Sequence, residues 1–338
     1  QRRVHGSIWE GMATAVTLTA GLSPSRSKSV SAWRKKPKYY AEAQASNSDV
    51  HLPPRPRRII LVRHGQSKGN VDERAYSTTA DHRIGLTKTG KAQAEACGEA
   101  IKKIIEDDEA DDWKVYFYVS PYRRTVQTLQ LLSTAFDRSR IAGMKEEPRL
   151  REQDFGNFQD SERMLADKAI RLRYGRFYYR FANGESAADV YDRITGTFSH
   201  PCLYRLKRGL GFRETLKSDI EKGRFQPPGH QSPNMNLVII SHGLTLRVFL
   251  MRWYKWTVRQ YERLKNLRNA QFLVMERGFR GRYSLLVHHT EQELRDFGLT
   301  NEMLMDQEWQ KFAFPGELYY DCSVMDSIFS DSDEEDDL

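Results

Sequence analysis

The sequence has no apolar stretch near the ~18 residues that a membrane-spanning helix needs, so no membrane association is expected of its 338 residues. Cysteine is scarce: Cys97, Cys202 and Cys322 are widely spaced and form no CxxC motif. An odd number of distant cysteines argues against a disulfide framework or a zinc site and favours a reducing compartment. No P-loop of the form G-x-x-x-x-G-K-[ST] occurs, which excludes a fused kinase domain of that type.

Acidic residues are missing between positions 11 and 41, where six Lys and Arg residues lie among Ser, Thr and Ala. This composition is typical of a transit peptide that would begin at Met12, and equally of a disordered basic arm on residues 1–56. Chloroplast and cytoplasm therefore both stay open. The last nine residues, 330–338, hold six carboxylates, which predicts a disordered acidic tail.

Between these ends the sequence alternates apolar strands with amphipathic helices. Consecutive β-favouring residues predict buried strands at 59–62, 115–120 and 236–241. A helical pattern follows each strand, and two later runs, 270–277 and 283–290, predict an antiparallel pair. The expected fold is α/β, with a mostly parallel central sheet and helices on both faces.

Two of these helical patterns indicate which residues face the core. The first, 86–108, is predicted to bury a row spaced by four: Ala92, Ala96, Ala100 and Ile104. The second, 123–136, is predicted to bury Val126, Leu129, Leu132 and Phe136.

Polar and charged residues stand where the three buried strands end. They are Arg63, His64 and Gly65, then Ser120 and Pro121 with Arg124 one turn later, then Ser241, His242 and Gly243. If these strands are parallel neighbours, two histidines and two arginines meet at the carboxyl edge, where open α/β sheets bind ligands. Arginine forks match phosphate oxygens. A histidine among arginines has a lowered pKa and stays neutral, which makes it a nucleophile that can accept phosphate.

Five segments together resemble the motifs of the histidine phosphatase superfamily, also called the phosphoglycerate-mutase-like family. In chain order they read LVRHGQSKGN, SPYRRTVQT, RLREQDFGNFQ, NGESAADVYDR and VIISHG, all within residues 57–245. Each is weak alone, but the common order and spacing are hard to obtain by chance. The third segment is most similar to plant and fungal phosphoglycerate-mutase-like proteins that act as broad-range phosphatases.

The resemblance implies a role for each of five residues. His64 would take the phosphoryl group, with its other ring nitrogen held by the carbonyl of the adjacent glycine. Arg63, Arg124 and His242 would bind that group, as metal ions do in other phosphatases. Glu152 would be the proton donor, although an ordinary loop carboxylate is the alternative. No cofactor is expected, and the absence of Asp, His or Glu at metal-ligand spacing predicts no metal.

Four further residues are expected to line the substrate. Asn70 and Gly243 belong to the two histidine motifs and would contact the phosphate. Ser67 is either a phosphate donor or a turn residue. Glu185 either lines the substrate side or caps the helix that begins after it.

The family contains both phosphatases and mutases, and departures from the mutase pattern favour a phosphatase. Cofactor-dependent mutases carry N-x-F-x-G-W after the first motif and Y-G-x-L-x-G after the acid. Here VDERAYSTTADHRIGLT has no Trp, and DFGNFQD has no Tyr-Gly pair. The alternatives are mutase-type phosphoryl transfer and a catalytically weak binding or regulatory module.

The catalytic domain is expected to span 57–292, with a helical insert at about 160–186 that covers the site as a lid. In this insert arginines alternate with aromatic residues, which suits an anion with an apolar or ring part, although a solvated helix with extended arginines is the alternative. Residues 293–329 would form an extension whose packing stays open. The net charge of +8 fits an anionic partner. We expect a phosphorylated small molecule and no nucleic acid, and the oligomeric state stays open.

Overall fold

The computed structural model describes residues 53–156, 161–196, 211–227, 231–278 and 281–312. The predicted basic arm before residue 53, the acidic tail, Cys202 and Cys322 lie outside the described residues. Cys97 is buried and not in a disulfide. No helix in the described ranges is long and apolar enough to cross a membrane.

Six strands form one sheet, in the order β3-β2-β4-β1-β5-β6. They are β1 (Arg58–Arg63), β2 (Lys114–Val119), β3 (Ile141–Glu146), β4 (Met235–Ser241), β5 (Phe272–Arg277) and β6 (Tyr283–Ser284). The first four in the sheet order are parallel, and β5 and β6 are antiparallel to their neighbours. The predicted mostly parallel α/β sheet is confirmed.

Two details of the strand prediction were wrong. The edge strand β3 was not predicted, because most of its residues are exposed and it carries no apolar run. The strand predicted at 283–290 shrinks to the two residues of β6, since the chain then turns toward the helix that begins at Glu291.

Eleven α-helices lie in the described part of the chain, and nine of them have at least six residues. They are α1 (Lys68–Val71), α2 (Ala75–Thr78), α3 (Lys88–Glu106), α4 (Arg123–Leu132), α5 (Ser161–Tyr174), α6 (Ala187–Thr195), α7 (Phe212–Glu221), α8 (Gly243–Tyr254), α9 (Val258–Arg263), α10 (Glu291–Phe297) and α11 (Asn301–Phe312). Short 3-10 turns lie at 81–83, 133–135, 138–140 and 148–150.

The sheet has a hydrophobic core on each face, because successive strand side chains point to opposite sides. On one face Ile60 and Val62 pack with residues of α3 and α4. On the other face Ile59 and Leu61 pack with residues of α6, α7, α8 and the C-terminal helices. All seven residues of β4 are buried, and each large apolar side chain contributes ~1.5–3 kcal/mol when fully buried.

The predicted buried face of the first helix was wrong, whereas that of the second was confirmed for three of its four residues. In α3 the alanines at 92, 96 and 100 are exposed, and the buried row is Ala94, Cys97, Ile101 and Ile105. Alanine contributes little burial energy, so the larger side chains of Ile101 and Ile105 decide the orientation of the helix. In the second segment Leu129 and Leu132 of α4 and Phe136 beyond its end are buried, and Val126 is half-buried against the same core.

The predicted lid is only partly helical. Helix α5 ends at Tyr174, and Gly175 follows with a φ of 103°, a conformation that favours glycine. Arg176 and Arg180 therefore lie in the connection to α6 rather than on the helix. At the other end of the chain α10 and α11 pack on the core through Leu294, Phe297, Met303 and Leu304.

The register of the sheet brings the three predicted strand ends to one edge. Strand β4 lies between β1 and β2, and Ile240 pairs with both Val62 and Val119. The residues that follow these positions, His64, Ser120 and His242, therefore emerge side by side at the carboxyl edge of the sheet.

Candidate active site

His64 is held in one tautomer by the backbone of the next residue. Its Nδ1 lies 2.7 Å from the carbonyl oxygen of Gly65, which is the contact that the sequence predicted. Because a carbonyl only accepts, Nδ1 carries the hydrogen and Nε2 keeps its lone pair. The side chain is buried, and burial, with Arg124 and Arg63 nearby, holds its pKa well below the ordinary value. His64 is thus a neutral imidazole with a free nucleophilic nitrogen.

The loop after β1 packs against the start of α3 so closely that only glycine fits. A Cβ on Gly65 would lie 2.3 Å from the carbonyl oxygen of Gly90, and a Cβ on Gly90 would lie 2.0 Å from that of Gln66. The Gly65 amide donates to the Thr128 hydroxyl of α4 at 3.1 Å. These contacts fix the carbonyl that orients His64.

His242 directly follows β4 and stands at the N-cap of α8. Its Nε2 lies 2.8 Å from the Ser120 hydroxyl, and its ring centroid lies 5.2 Å from that of His64. Its Nδ1 is buried and has no hydrogen-bond partner within the described residues. Burial, followed by the nearby Arg124, holds its pKa well below the ordinary value. If Ser120 donates to Nε2, Nδ1 carries a hydrogen for a bound anion.

Two arginines flank the histidines. Arg63 donates through Nη1 to the carbonyl of Leu267, and its Nε is buried without a partner among the described residues. Arg124 is almost completely buried and donates to the Asp81 carboxylate at 2.7 Å. Its guanidinium lies 4.8 Å from the Tyr122 ring centroid, so both its position and its plane are fixed.

Glu152 stands across from His242. Its Oε2 lies 3.9 Å from Nδ1 of His242, and its Oε1 accepts the backbone amide of Gln153 at 3.1 Å. Burial raises the pKa of this carboxyl, although Arg124 nearby acts in the opposite direction. A carboxyl with a raised pKa keeps its proton at a higher pH than an ordinary glutamate does, which suits it to act as an acid.

The backbone of the Glu152 loop is held by hydroxyls of β4 and α8 and by Arg193 of α6. The carbonyl of Leu150 accepts from Ser241 at 2.7 Å, and that of Arg151 accepts from Thr245 at 2.8 Å. Arg193 donates to the carbonyls of residues 149, 151 and 152.

The carboxylate of Glu185 forms its hydrogen bonds with the Glu152 loop and with Arg193. Its carboxylate accepts from Arg193 at 3.2 Å and from Arg151 at 2.5 Å, and from the backbone amide of Asp154 at 3.0 Å. These contacts join Glu185 to the Glu152 loop rather than to the histidines. The helix α6 is capped by Ser186 and not by Glu185, so the capping alternative was wrong; a substrate contact stays a prediction.

The remaining predicted residues lie close to His64 or His242. Ser67 is fully buried, and its hydroxyl has no partner within the described residues. The Oδ1 of Asn70 accepts hydrogen bonds from the backbone N–H of Ser67 at 3.1 Å and from the side-chain Nδ2 of Asn269 at 3.0 Å. The Nδ2 of Asn70 is left to donate. Gly243 opens α8, where a Cβ would lie 1.8 Å from Oδ1 of Asn266.

This arrangement is suited to an anion that reacts with a nucleophile and an acid. Guanidinium groups, the Nδ1 of His242 and the N-terminus of α8 all favour negative charge, and several of the polar atoms here have no hydrogen-bond partner among the described residues. His64 has a lone pair on Nε2, and Glu152 is a carboxyl whose pKa is raised by burial. No three His, Cys, Asp or Glu side chains come together as a metal site requires, as far as the described residues go.

Comparison with known proteins decides the family. A profile of the histidine phosphatase superfamily (branch 1) matches residues 59–202. Phosphoglycerate mutase-like protein AT74 of Arabidopsis thaliana is 49% identical over 286 residues, which cover 83% of this chain and 85% of that protein. The chain belongs to the histidine phosphatase superfamily.

More distant relatives include phosphatases by name. The broad-range acid phosphatase DET1 of Saccharomyces cerevisiae is 29% identical, over 66% of this chain and 86% of that protein. Among solved structures, a mycobacterial glucosyl-3-phosphoglycerate phosphatase with VO3 is 22% identical with a TM-score of 0.45, over 64% of this chain and 90% of that one.

Sequence reasoning missed three supports of this histidine phosphatase site. Asp81 pairs with Arg124, Tyr122 packs on both Arg124 and His242, and Arg193 holds the Glu152 loop. Arg193 ends the segment NGESAADVYDR, but Glu185 precedes the N-cap of α6, so helical periodicity does not connect the two residues. The sequence therefore carried no signal for this support.

Proposed function

We propose that this protein hydrolyses phosphomonoesters through a phosphohistidine on His64, without a metal ion. The observation that carries the proposal is the fixed tautomer of His64: its Nδ1 donates to the Gly65 carbonyl at 2.7 Å, which leaves Nε2 as a neutral nucleophile between Arg63 and Arg124. The superfamily and the phosphatase name of a yeast relative support the reaction class.

In the first half of the reaction, Nε2 of His64 attacks phosphorus and the bond from phosphorus to the ester oxygen breaks. The leaving oxygen takes the proton of Glu152, whose raised pKa keeps that proton available. Arg63, Arg124 and His242 bind the phosphoryl oxygens, where negative charge must be stabilised in the transition state. The products are the free alcohol and phosphohistidine.

In the second half, water attacks phosphorus and the bond from phosphorus to nitrogen breaks. Glu152, now a carboxylate, takes a proton from the water, which restores the acid for the next cycle. His64 recovers its lone pair and inorganic phosphate leaves. The sum is hydrolysis of one ester bond by one water.

The nucleophile is tested with His64→Ala and the matched control His288→Ala. His288 is exposed and lies near Arg58 and Glu276 at the amino end of β1, away from the site. The reaction is run with substrate labelled on its phosphate and is quenched in alkali. The wild type and the control should then carry the label, and His64→Ala should not. Turnover above a few per cent of wild type in His64→Ala contradicts the proposal, and loss of activity in EDTA contradicts its metal-free part.

The acid is tested by the leaving group. Glu152→Gln should slow the hydrolysis of glycerol 3-phosphate by about 10²–10⁴-fold, the usual contribution of general acid catalysis. It should slow p-nitrophenyl phosphate far less, because that leaving group scarcely needs a proton. Equal loss on both substrates means that Glu152 binds phosphate or supports the fold.

A further inference from the structure

Helix α5 turns polar side chains toward the rest of the protein, which reverses the usual arrangement. A helix at a protein surface normally buries an apolar face and presents polar residues to water. On the inward side of α5 Met164 is buried, but Lys168 donates to Glu73 at 2.5 Å and Arg171 donates to Gln153 at 3.2 Å. The core therefore uses little of the apolar surface of this helix.

The large apolar side chains of α5 point to solvent instead. Ile170, Leu172 and Tyr174 are 43%, 64% and 67% exposed, and Tyr178 just beyond the helix is 60% exposed. Eight large apolar residues are exposed in the part of the chain that the structure describes, and four of them lie in these nine positions. We call residues 170–178 the exposed lid segment. Such a concentration of exposed apolar residues is typical of an interaction site.

The fold holds this segment in place, so its exposed side chains do not simply turn inward. Phe177 is buried and packs against Tyr261 with ring centroids 5.5 Å apart. Its backbone amide donates to the carboxylate of Glu262 at 2.7 Å. Tyr174 and Tyr178 lie on either side of this anchor, and their exposure follows from it.

The charge of the same stretch selects an anionic partner. From position 168 to position 184 the sequence has five Lys and Arg residues and no Asp or Glu. Two of the arginines, Arg173 and Arg176, form no ion pair with any residue that the structure describes. The exposed lid segment therefore suits a partner that is both apolar and acidic.

Two candidate partners carry the wrong charge. A second copy of the chain, in a two-fold interface, would bring this segment against itself and its arginines against one another. The stretch from position 11 to position 41 has Lys and Arg but no acidic residue. Like charges at such a contact are unfavourable, so neither is expected to cover the segment.

The C-terminal stretch 313–338 has the complementary composition. It contains no Lys or Arg and nine carboxylates: Glu317, Asp321, Asp326 and the six within 330–338. It also contains large apolar residues between these acids, namely Phe314, Leu318, Tyr319, Tyr320, Val324, Met325, Ile328 and Phe329. Both properties that the exposed lid segment requires of a partner are therefore present in this chain.

The length of this stretch is sufficient for it to reach α5. Helix α11 ends at Phe312, which is exposed. The next seventeen residues, 313–329, span roughly 56–61 Å when extended, at about 3.3–3.6 Å each. A domain of about 260 residues is roughly 45 Å across. Because a tethered segment has an effective concentration of about a millimolar, weak contacts are enough to hold it.

We propose that the C-terminal stretch 313–338 docks on the exposed lid segment of its own chain. Its apolar residues cover Leu172 and Tyr174, and its carboxylates pair with Arg173 and Arg176. The proposal concerns a contact and not a reaction, so it does not depend on the proposed function.

The test is a distance measurement by pulsed electron paramagnetic resonance on the full-length protein. One spin label is placed on Cys322, which lies within the stretch, and the other on Ala169→Cys, an exposed position of α5. Cys202 is replaced by Ser, and Cys97 is buried and should not react. Docking should give one narrow distance distribution at low salt. The distribution should broaden at 1 M salt, where charges are screened beyond about 3 Å.

The double variant Leu172→Ser/Arg173→Glu removes one apolar contact and reverses one charge of the exposed lid segment. It should convert the narrow distribution into a broad one. The matched control is Met144→Ser/Lys145→Glu on β3, where an exposed apolar residue likewise precedes an exposed cation. The control should keep the narrow distribution. All four positions are exposed, so the fold should tolerate the substitutions.

Three results would overturn the proposal. A broad distribution in the labelled protein at low salt means that the stretch does not dock. A narrow distribution that survives Leu172→Ser/Arg173→Glu means that it docks elsewhere, for example on the basic stretch 11–41. A narrow distribution that disappears when labelled protein is diluted with unlabelled protein assigns the contact to a second copy. None of these results depends on whether the protein is a phosphatase.

Discussion

Arg193 should matter for catalysis although it has no direct contact with the phosphoryl group in the proposed mechanism. It donates to three backbone carbonyls of the segment 149–152 and pairs with Glu185. The side chain of Glu152 projects from this segment, so its position opposite His242 depends on where the backbone lies. Arg193→Gln keeps a polar side chain but removes the charge and the fork that reaches three carbonyls.

The cost in stability follows from the burial of the pair. The side chains of Arg193 and Glu185 are 11% and 15% exposed, and removal of one partner from a buried ion pair costs ~3–5 kcal/mol. Glu185 keeps Arg151 at 2.5 Å and the amide of Asp154 at 3.0 Å, so its charge is not left alone. We therefore expect a loss of about 2–3 kcal/mol in the free energy of unfolding, below that range.

The cost in catalysis should depend on the leaving group. If Arg193 positions the acid, Arg193→Gln forfeits part of the ~10²–10⁴-fold contribution of Glu152. We expect kcat to fall by about 10- to 100-fold for glycerol 3-phosphate and by less than about threefold for p-nitrophenyl phosphate. Arg193→Lys keeps the charge near Glu185 and should recover part of the loss on the alkyl ester.

The assay is kcat on both esters, each corrected for the folded fraction from urea unfolding. Arg58→Gln is the matched control, because Arg58 is also a buried arginine paired with carboxylates, Asp108 and Glu276, at the amino end of β1. It should lose stability without a leaving-group effect.

Equal slowing of the two esters by Arg193→Gln would refute the positioning role. So would a further alkyl-specific loss when Arg193→Gln is added to Glu152→Gln, since two residues that act through one proton transfer should not be additive.

We expect kcat/KM to be highest at acidic pH. Protonation of His64 removes its lone pair only well below the ordinary histidine pKa. Deprotonation of Glu152 removes the proton donor above the raised pKa of that carboxyl. In Glu152→Gln the alkaline fall should disappear with alkyl esters, and its persistence would count against Glu152 as the acid. Mutase activity should be negligible beside hydrolysis, so rapid interconversion of 3- and 2-phosphoglycerate in the presence of 2,3-bisphosphoglycerate would contradict the phosphatase proposal. Residues 12–56 fused to a fluorescent protein should enter plastids in plant cells if they are a transit peptide; unprocessed cytosolic and nuclear fluorescence would rule that out.

The sequence predicted the sheet and the residues at its carboxyl edge because both depend on local patterns. A run of β-favouring residues is buried on both faces of a parallel sheet, so β1, β2 and β4 were recognisable. The polar residues that follow them directly, such as His64 and His242, could be placed at one edge from the strand order alone. Their backbone partners, such as the Gly65 carbonyl, are also local in sequence.

The supports of the site were harder to predict because they join distant parts of the chain. Asp81 reaches Arg124 across 43 positions, and Arg193 reaches the carbonyl of Arg149 across 44. Neither pair lies within one helix or strand, so no periodicity connects its members. The face of α3 was mistaken for a related reason: a row of alanines has too little burial energy to outweigh two isoleucines.

This difference between local and distant residues also separates two kinds of catalytic contribution. His64 is held by the carbonyl of the next residue, and His242 by Ser120 at the end of the neighbouring strand. The proposed nucleophile and the proposed phosphate-binding histidine are therefore in place once the sheet forms. Glu152 follows a short 3-10 turn rather than a strand, and its backbone is held by side chains from β4, α6 and α8. The proposed acid is therefore the member of the site whose position depends most on packing elsewhere. Substitutions outside the pocket should reach catalysis through proton transfer to the leaving group before they affect attack by His64.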